Sequence, residues 1–94
     1  MGLTFEWDTG NADENKQKHG LSFAEAATAF GDPLSITIAD PDRSESEDRF
    51  VLIGATYLGR IVVVIHTERG DNIRIISARF AARTERKTYG GEDR

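Results

Sequence analysis

The side chains best suited to chemistry form a basic group near the carboxyl end: Arg79, Arg83, Arg86 and Lys87. The last three follow the first at offsets of +4, +7 and +8, so a helix of about 3.6 residues per turn would carry all four on one face. Such a face can bind phosphate groups, and Tyr89 beside it offers a ring on which a base could stack. The alternative is a solvated helix in which Glu85 pairs with an arginine, an arrangement that contributes little to stability.

A second group of candidate residues lies on a segment that alternates like a β-strand. Within residues 60–69, His66 and Glu68 share one face at the polar end of an apolar run. A hairpin turn directly after this segment would bring Arg74 close to them. The imidazole or the carboxylate could take the proton of an RNA 2′-hydroxyl while arginines stabilise the pentavalent phosphate. Alternatively, His66 is a half-buried strand residue and Glu68 forms an ion pair with Arg74. Spacing alone favours this alternative over a catalytic site.

Metal and cofactor chemistry find little support in the sequence. His19 and His66 are the only histidines, neither belongs to a zinc-binding motif, and the chain has no cysteine. There is no phosphate-binding loop of the GxxxxGK[ST] or GxGxxG kind, and Ser77 is not in the glycine-flanked turn of serine hydrolases. We therefore expect neither a metal nor a cofactor.

Length and composition indicate a single domain over residues 1–94, with 38% hydrophobic and 30% charged residues. The amino-terminal residues lack the pattern of a signal peptide, and the longest apolar run, Ile61–Ile65, is too short to cross a membrane. Because cysteine is absent, the expected compartment is the reducing cytoplasm.

Charge is unevenly distributed along the chain, whose net charge is −4. Residues 1–48 contain three basic and eleven acidic side chains, and an acidic loop is predicted at 40–48. Residues 49–94 contain nine basic and five acidic side chains. This asymmetry predicts an anion-binding half or a basic face that docks an acidic partner.

The amino-terminal third predicts a short edge strand at 4–7 and then two helices. The first, 11–19, ends at Gly20 and carries Lys18 and His19 in its last turn, where the helix dipole favours cations even without a ligand.

The second helix begins at Ser22, which forms a predicted capping box with Glu25. Its apolar face contains residues at i, i+3, i+4 and i+7: Phe23, Ala26, Ala27 and Phe30. The sequence Gly-Asp-Pro at 31–33 should end it.

The remaining elements predict an antiparallel meander followed by a helix. The strands are 34–40, 50–57, 60–69 and 72–77, and the helix is 80–89. The short links between the last three strands favour hairpins over crossovers. The predicted class is therefore α+β, with two amino-terminal helices, a four-stranded antiparallel meander sheet and a carboxyl-terminal helix.

Four blocks of the sequence resemble the BrnT family of bacterial toxins, which has a RelE-like ribonuclease fold. They are FEWD at 5–8, KHG at 18–20 preceded by Asn15, SFAEAATAFGDP at 22–33 and RIISARFAARTERKTY at 74–89. The resemblance implies a toxin of a type II toxin–antitoxin system that cleaves RNA without a metal and arrests translation. It also implies a BrnA-like antitoxin that neutralises the toxin in a hetero-oligomer and binds operator DNA, so that DNA is contacted only through the complex.

The resemblance also carries site residues onto this sequence. The family's basic end corresponds to Arg79, Arg83, Arg86 and Tyr89, and its KHG block to Lys18 and His19. Combined with the strand residues above, the expected catalytic set is His19, His66, Glu68, Arg79 and Arg83. The expected RNA-binding set is Lys18, Arg74, Arg86, Lys87 and Tyr89.

Two other functions remain open from the sequence. The first is a catalytically inactive interaction module whose basic face docks an acidic partner. The second is a DNA-binding regulator that acts alone, which is less favoured because no helix-turn-helix pattern is present.

Overall fold

The computed structural model describes residues 3–40 and 48–90, which form three α-helices, a 3₁₀ turn and one five-stranded sheet. In chain order the elements are β1 (Thr4–Glu6), α1 (Thr9–His19), α2 (Phe23–Ala27), the 3₁₀ turn (Thr28–Gly31), β2 (Ile36–Ala39), β3 (Phe50–Ala55), β4 (Ile61–Arg69), β5 (Asn72–Phe80) and α3 (Arg83–Gly90). The predicted acidic loop lies largely outside the described residues. Among those described, no helix is both long and apolar enough to cross a membrane.

The sheet confirms the α+β class and the antiparallel meander, and the predicted short edge strand at the amino terminus is its fifth strand. Strands β2 to β5 pair in antiparallel fashion in chain order. The first strand joins the sheet next to β5 and runs parallel to it, with Thr4 opposite Asn72. The sheet is therefore mixed and five-stranded, in the order β1-β5-β4-β3-β2.

Two separate clusters of apolar side chains cover the two faces of this sheet. Helices α1 and α2 face the larger cluster, which includes Leu21 and Phe23 together with Val62 and Val64 of β4. The opposite face carries a smaller cluster of Ile53, Val63 and Ala81, against which Tyr89 of α3 packs. Because neighbouring strand residues point to opposite faces, the apolar run in β4 supplies both clusters.

Short polar contacts determine where the first two helices begin. The Asp8 carboxylate accepts the Asn11 N–H at 2.9 Å, so α1 starts at Thr9, two residues before the predicted start. Ser22 caps α2 as predicted by accepting the Glu25 N–H at 3.0 Å. The Glu25 carboxylate does not complete the predicted capping box, since its oxygens bind Thr56 and Arg60.

The last strand is longer than predicted, which corrects the assignment of Arg79. Pairing with β4 continues to Phe80, which lies opposite Val62, so Arg79 belongs to β5. Helix α3 starts only at Arg83. The expected single helical face of four cations is therefore wrong, and only the last three of them lie on α3.

An asparagine side chain takes the place of a neighbouring strand along part of β5. Strand β1 pairs only with residues 72–74, which leaves the following residues of β5 without a strand on that side. There the Asn15 amide nitrogen donates to the Ala78 carbonyl at 2.7 Å, and its oxygen accepts the Ala78 N–H at 3.1 Å. The same nitrogen donates to the Leu21 carbonyl at 3.1 Å. This contact fixes α1 against β5 with the buried Asn15 side chain.

Candidate functional site

An open cavity of about 190 Å³ lies between one side of α1 and the outer edge of β5. Its lining includes the ammonium group of Lys18, the imidazole of His19, the hydroxyl of Ser77 and the carboxylate of Glu14. His19 is partly exposed, and Lys18 is exposed. An imidazole and an ammonium group beside an open cavity can transfer a proton and bind an anion.

A guanidinium group lies next along the same strand. Arg79 follows Ser77 by two residues, which places their Cα atoms roughly 7 Å apart on one face of β5. The Arg79 Nη1 and Nη2 atoms donate to the two carboxylate oxygens of Glu85 at 2.8 and 2.7 Å. Glu85 also accepts the Ala82 N–H at 2.7 Å. Glu85 thus pairs with an arginine, as in the alternative given above, although that arginine is on the strand and not on the helix.

This ion pair affects the ionisation of both partners. The hydrogen bond from Arg79 lowers the pKa of Glu85 below its ordinary value, and the hydrogen bond to Glu85 raises the pKa of Arg79. Both side chains remain partly accessible, at 42% for Arg79 and 26% for Glu85. The pair is therefore charged at neutral pH and in contact with solvent.

The three predicted cations of α3 are all exposed: Arg83, Arg86 and Lys87. Arg86 donates to the Ala81 carbonyl at 3.0 Å, which holds its stem near the start of the helix. Arg83 and Arg86 lie in the first turn of α3 and Lys87 in its last, so the exposed surface of this helix carries an excess of positive charge. Such a surface attracts a polyanion.

The Tyr89 ring is not free to stack on a base, contrary to the prediction. It packs against the cluster of Ile53, Val63 and Ala81, and its hydroxyl donates to Asp32 at 2.6 Å. This hydrogen bond raises the pKa of Tyr89 and is the main cause that lowers the pKa of Asp32. The half-buried ring serves to hold α3 on the sheet.

His66 lies inside the protein, which contradicts its predicted place at a catalytic surface. Its side chain is 3% exposed and its ring centroid lies 4.8 Å from that of Phe30 and 5.9 Å from that of Phe50. Burial lowers the pKa of His66. The imidazole is therefore a neutral core group that is out of reach of a bound RNA.

Glu68 and Arg74 are neither together nor near the α1 cavity. Arg74 lies opposite Thr67 and donates to Glu6 at 3.1 Å, so the alternative of a Glu68–Arg74 ion pair is wrong. The exposed Glu68 belongs to another cavity, of about 380 Å³, which Phe50 also lines. Arg74 precedes Arg79 by five residues, about 16 Å along β5.

The structure thus places Lys18 and His19 around one cavity with Ser77, which was set aside above only as a serine-hydrolase nucleophile. Arg79 lies two residues further along β5, opposite Val63, and does not line this cavity.

The structure also reveals the role of Asn15. The spacing in the sequence could have indicated that Asn15 is buried, because it shares the inward face of α1 with Ala12, three residues earlier. In the described residues, no group of three or more His, Asp or Glu side chains could hold a metal ion.

Comparisons with known proteins agree with this architecture. Residues 7–85 match the family model described as the ribonuclease toxin, BrnT, of type II toxin–antitoxin systems. The structure is similar to the 1.1 Å crystal structure of the Brucella abortus ribonuclease toxin BrnT, with a TM-score of 0.63 and 25% sequence identity. That similarity covers 87% of this chain and 100% of the Brucella chain. No curated protein matches the sequence.

The family model extends over most of the chain, and the structural match independently supports the same fold. The sequence resemblance is confirmed, and a toxin of this type implies an antitoxin partner. The chain belongs to the BrnT family of ribonuclease toxins of type II toxin–antitoxin systems.

Proposed function

We propose that this ribonuclease toxin is a cytoplasmic, metal-independent endoribonuclease that arrests translation and is neutralised by a BrnA-like antitoxin. The observation that carries the proposal is the cavity that Lys18 and His19 share with Ser77 of β5, two residues before Arg79. A proton-transfer group and phosphate-binding cations are the two requirements for cleaving RNA through its own 2′-hydroxyl.

In the proposed reaction, His19 takes the proton of a 2′-hydroxyl, and the resulting oxygen attacks the adjacent phosphorus. The bond from phosphorus to the 5′-oxygen breaks, and that oxygen takes up a proton from solvent water as it leaves. The products are a 2′,3′-cyclic phosphate and a 5′-hydroxyl. Lys18 and Arg79 stabilise the additional negative charge on the phosphate oxygens in the transition state.

The exposed cations of α3 bind the phosphates that flank the cleaved bond: Arg83, Arg86 and Lys87. Arg74 is not part of this site, because it lies about 16 Å from Arg79 along β5. Glu68 is not part of it either, because it lines a separate cavity. His66 is excluded by its burial. His19 is therefore the histidine to which we assign proton transfer.

The test is cleavage of single-stranded RNA by the purified protein in the presence of EDTA. Substituting His19→Gln should slow cleavage by about 100-fold, since a general acid or base contributes on that order. Arg79→Ala should cause a comparable loss. Arg60→Ala is the matched control, because Arg60 also pairs with a glutamate, Glu25, but outside the site.

In cells, Arg79→Ala or Arg83→Ala should relieve growth arrest while circular dichroism shows an intact fold. Variants as toxic and as active as the parent would refute the site assignment. If the parent protein binds its antitoxin but does not cleave RNA, the catalytically inactive docking module is the better description.

A further inference from the structure

We propose that Glu85 is an internal competitor of the RNA phosphate at Arg79, so that it sets the affinity of the site and its dependence on salt. The inference rests on the proposed function, since it takes Arg79 as a phosphate-binding residue. It concerns a residue that plays no part in the reaction described above.

The geometry of the ion pair carries this inference. Arg79 uses both Nη atoms to hold the two Glu85 oxygens, at 2.8 and 2.7 Å. A guanidinium group binds two phosphate oxygens through the same pair of parallel hydrogen bonds. The carboxylate therefore occupies the position that a phosphate would take, and RNA must displace Glu85 to bind Arg79 in this way.

Exposure makes this exchange feasible. The side chains of Arg79 and Glu85 are 42% and 26% accessible, so water can solvate both groups when they separate. The chain contains a contrasting pair: Glu25 is only 10% accessible and also binds Thr56, so it is firmly held on Arg60.

Glu85 retains a partner after it leaves Arg79. Its oxygen accepts the Ala82 N–H at 2.7 Å, just before the start of α3. This bond can persist when the carboxylate turns away from the guanidinium. The negative charge then stays near the bound phosphate and repels it, which lowers the affinity for RNA.

Removing this charge should strengthen RNA binding. Glu85→Gln keeps the size of the side chain and an oxygen that accepts the Ala82 N–H. We expect about three- to tenfold tighter binding of single-stranded RNA. The slope of log K against log salt should become steeper by about 0.7, the contribution of one further phosphate contact.

The experiment measures fluorescence anisotropy of a labelled, fully 2′-O-methylated oligonucleotide, which lacks the attacking hydroxyl, from about 50 to 300 mM salt. Glu25→Gln is the matched control and should bind like the parent. The gain should be absent when Glu85→Gln is combined with Arg79→Gln. Glu85→Ala, which also removes the carboxylate, should reproduce the gain if Glu85→Gln proves poorly folded in a thermal melt.

With unmodified RNA at subsaturating concentration, Glu85→Gln should cleave faster than the parent because KM falls. Unchanged or weaker binding, or a kcat lowered by about 100-fold, would overturn the inference and make Glu85 a positioning or proton-transfer residue. If the parent cleaves RNA, such a result leaves the proposed function standing. If the parent neither binds nor cleaves RNA, both proposals are wrong.

Discussion

The two histidines show how burial separates residues of the same type. His19 is partly exposed at the end of α1, whereas His66 is enclosed by Phe30 and Phe50. Its Nδ1 atom lies 3.4 Å from the Val64 carbonyl, a weak contact for a polar group in the core. Burial disfavours the charged imidazolium, so His66 is held in its neutral form.

This burial predicts a pH dependence of stability. The pKa of His66 is lower in the folded than in the unfolded chain, where it is near 6.5. The unfolded chain therefore takes up the proton first, and the contribution of His66 to stability is lost as the pH falls below about 6.5. His66→Phe should weaken the loss of stability between about pH 7.5 and 5.

Urea unfolding at the two pH values measures this effect, with His19→Gln as the control that keeps the buried histidine. RNA cleavage by His66→Phe should match that of the parent. An unchanged pH dependence would mean that another group causes the loss, and inactive but folded His66→Phe would restore His66 as a catalytic candidate.

At the scale of elements, the features that the sequence predicted correctly are those that depend only on residues close together in the chain. The glycine that ends α1 is an example, since Gly20 has a φ of 73°, and the Ser22 cap is another. The extension of β5 through Arg79 was missed because it depends on pairing with β4, far from any local signal. The parallel place of β1 and the burial of His66 likewise depend on residues distant in sequence. The structure places the predicted cations on α1, β5 and α3, an arrangement that depends on these contacts.

The contact between α1 and β5 predicts a large effect from one substitution. Asn15→Ala would leave the buried N–H and carbonyl of Ala78 without their side-chain partner. We expect a loss of about 2 to 3 kcal/mol in the free energy of unfolding, the cost of leaving buried polar groups unsatisfied. Urea denaturation would measure it, and Gln17→Ala on the exposed side of α1 should change it by under about 0.5 kcal/mol. Equal stability of the two variants would show that water can replace the amide.

For the whole molecule, acidic side chains are part of the stabilising structure despite the excess of negative charge. Within residues 3–40 and 48–90, four carboxylates have lowered pKa values, each chiefly because a neighbouring side chain donates a hydrogen bond: Glu6, Glu25, Asp32 and Glu85. They link β1 to β5, α2 to the β3–β4 turn, the 3₁₀ turn to α3, and β5 to α3. These four contacts between elements thus depend on ionised carboxylates.

Stability should therefore decrease at acid pH. A carboxylate with a lowered pKa contributes fully above its unfolded value, 3.8 for Asp and 4.5 for Glu, and the contribution is lost as the pH falls through the folded value. Asp32→Asn should give a shallower decline below about pH 4.5 than the parent, with the exposed Asp13→Asn as the control. Thermal melts over this pH range measure the effect. If the stability of both variants declined like that of the parent, the Asp32 carboxylate would not be a cause of the loss.

The anchoring of α1 on Ala78 also has a consequence for synthesis of the chain. Asn15 and Ala78 are 63 residues apart, and β1 likewise pairs with β5 near the other end of the sequence. A ribosome releases Lys18 and His19 well before β5, the strand to which Asn15 fixes α1. Contacts of such long range form slowly. A nascent chain thus holds Lys18 and His19 in an unassembled state until β5 has been synthesised.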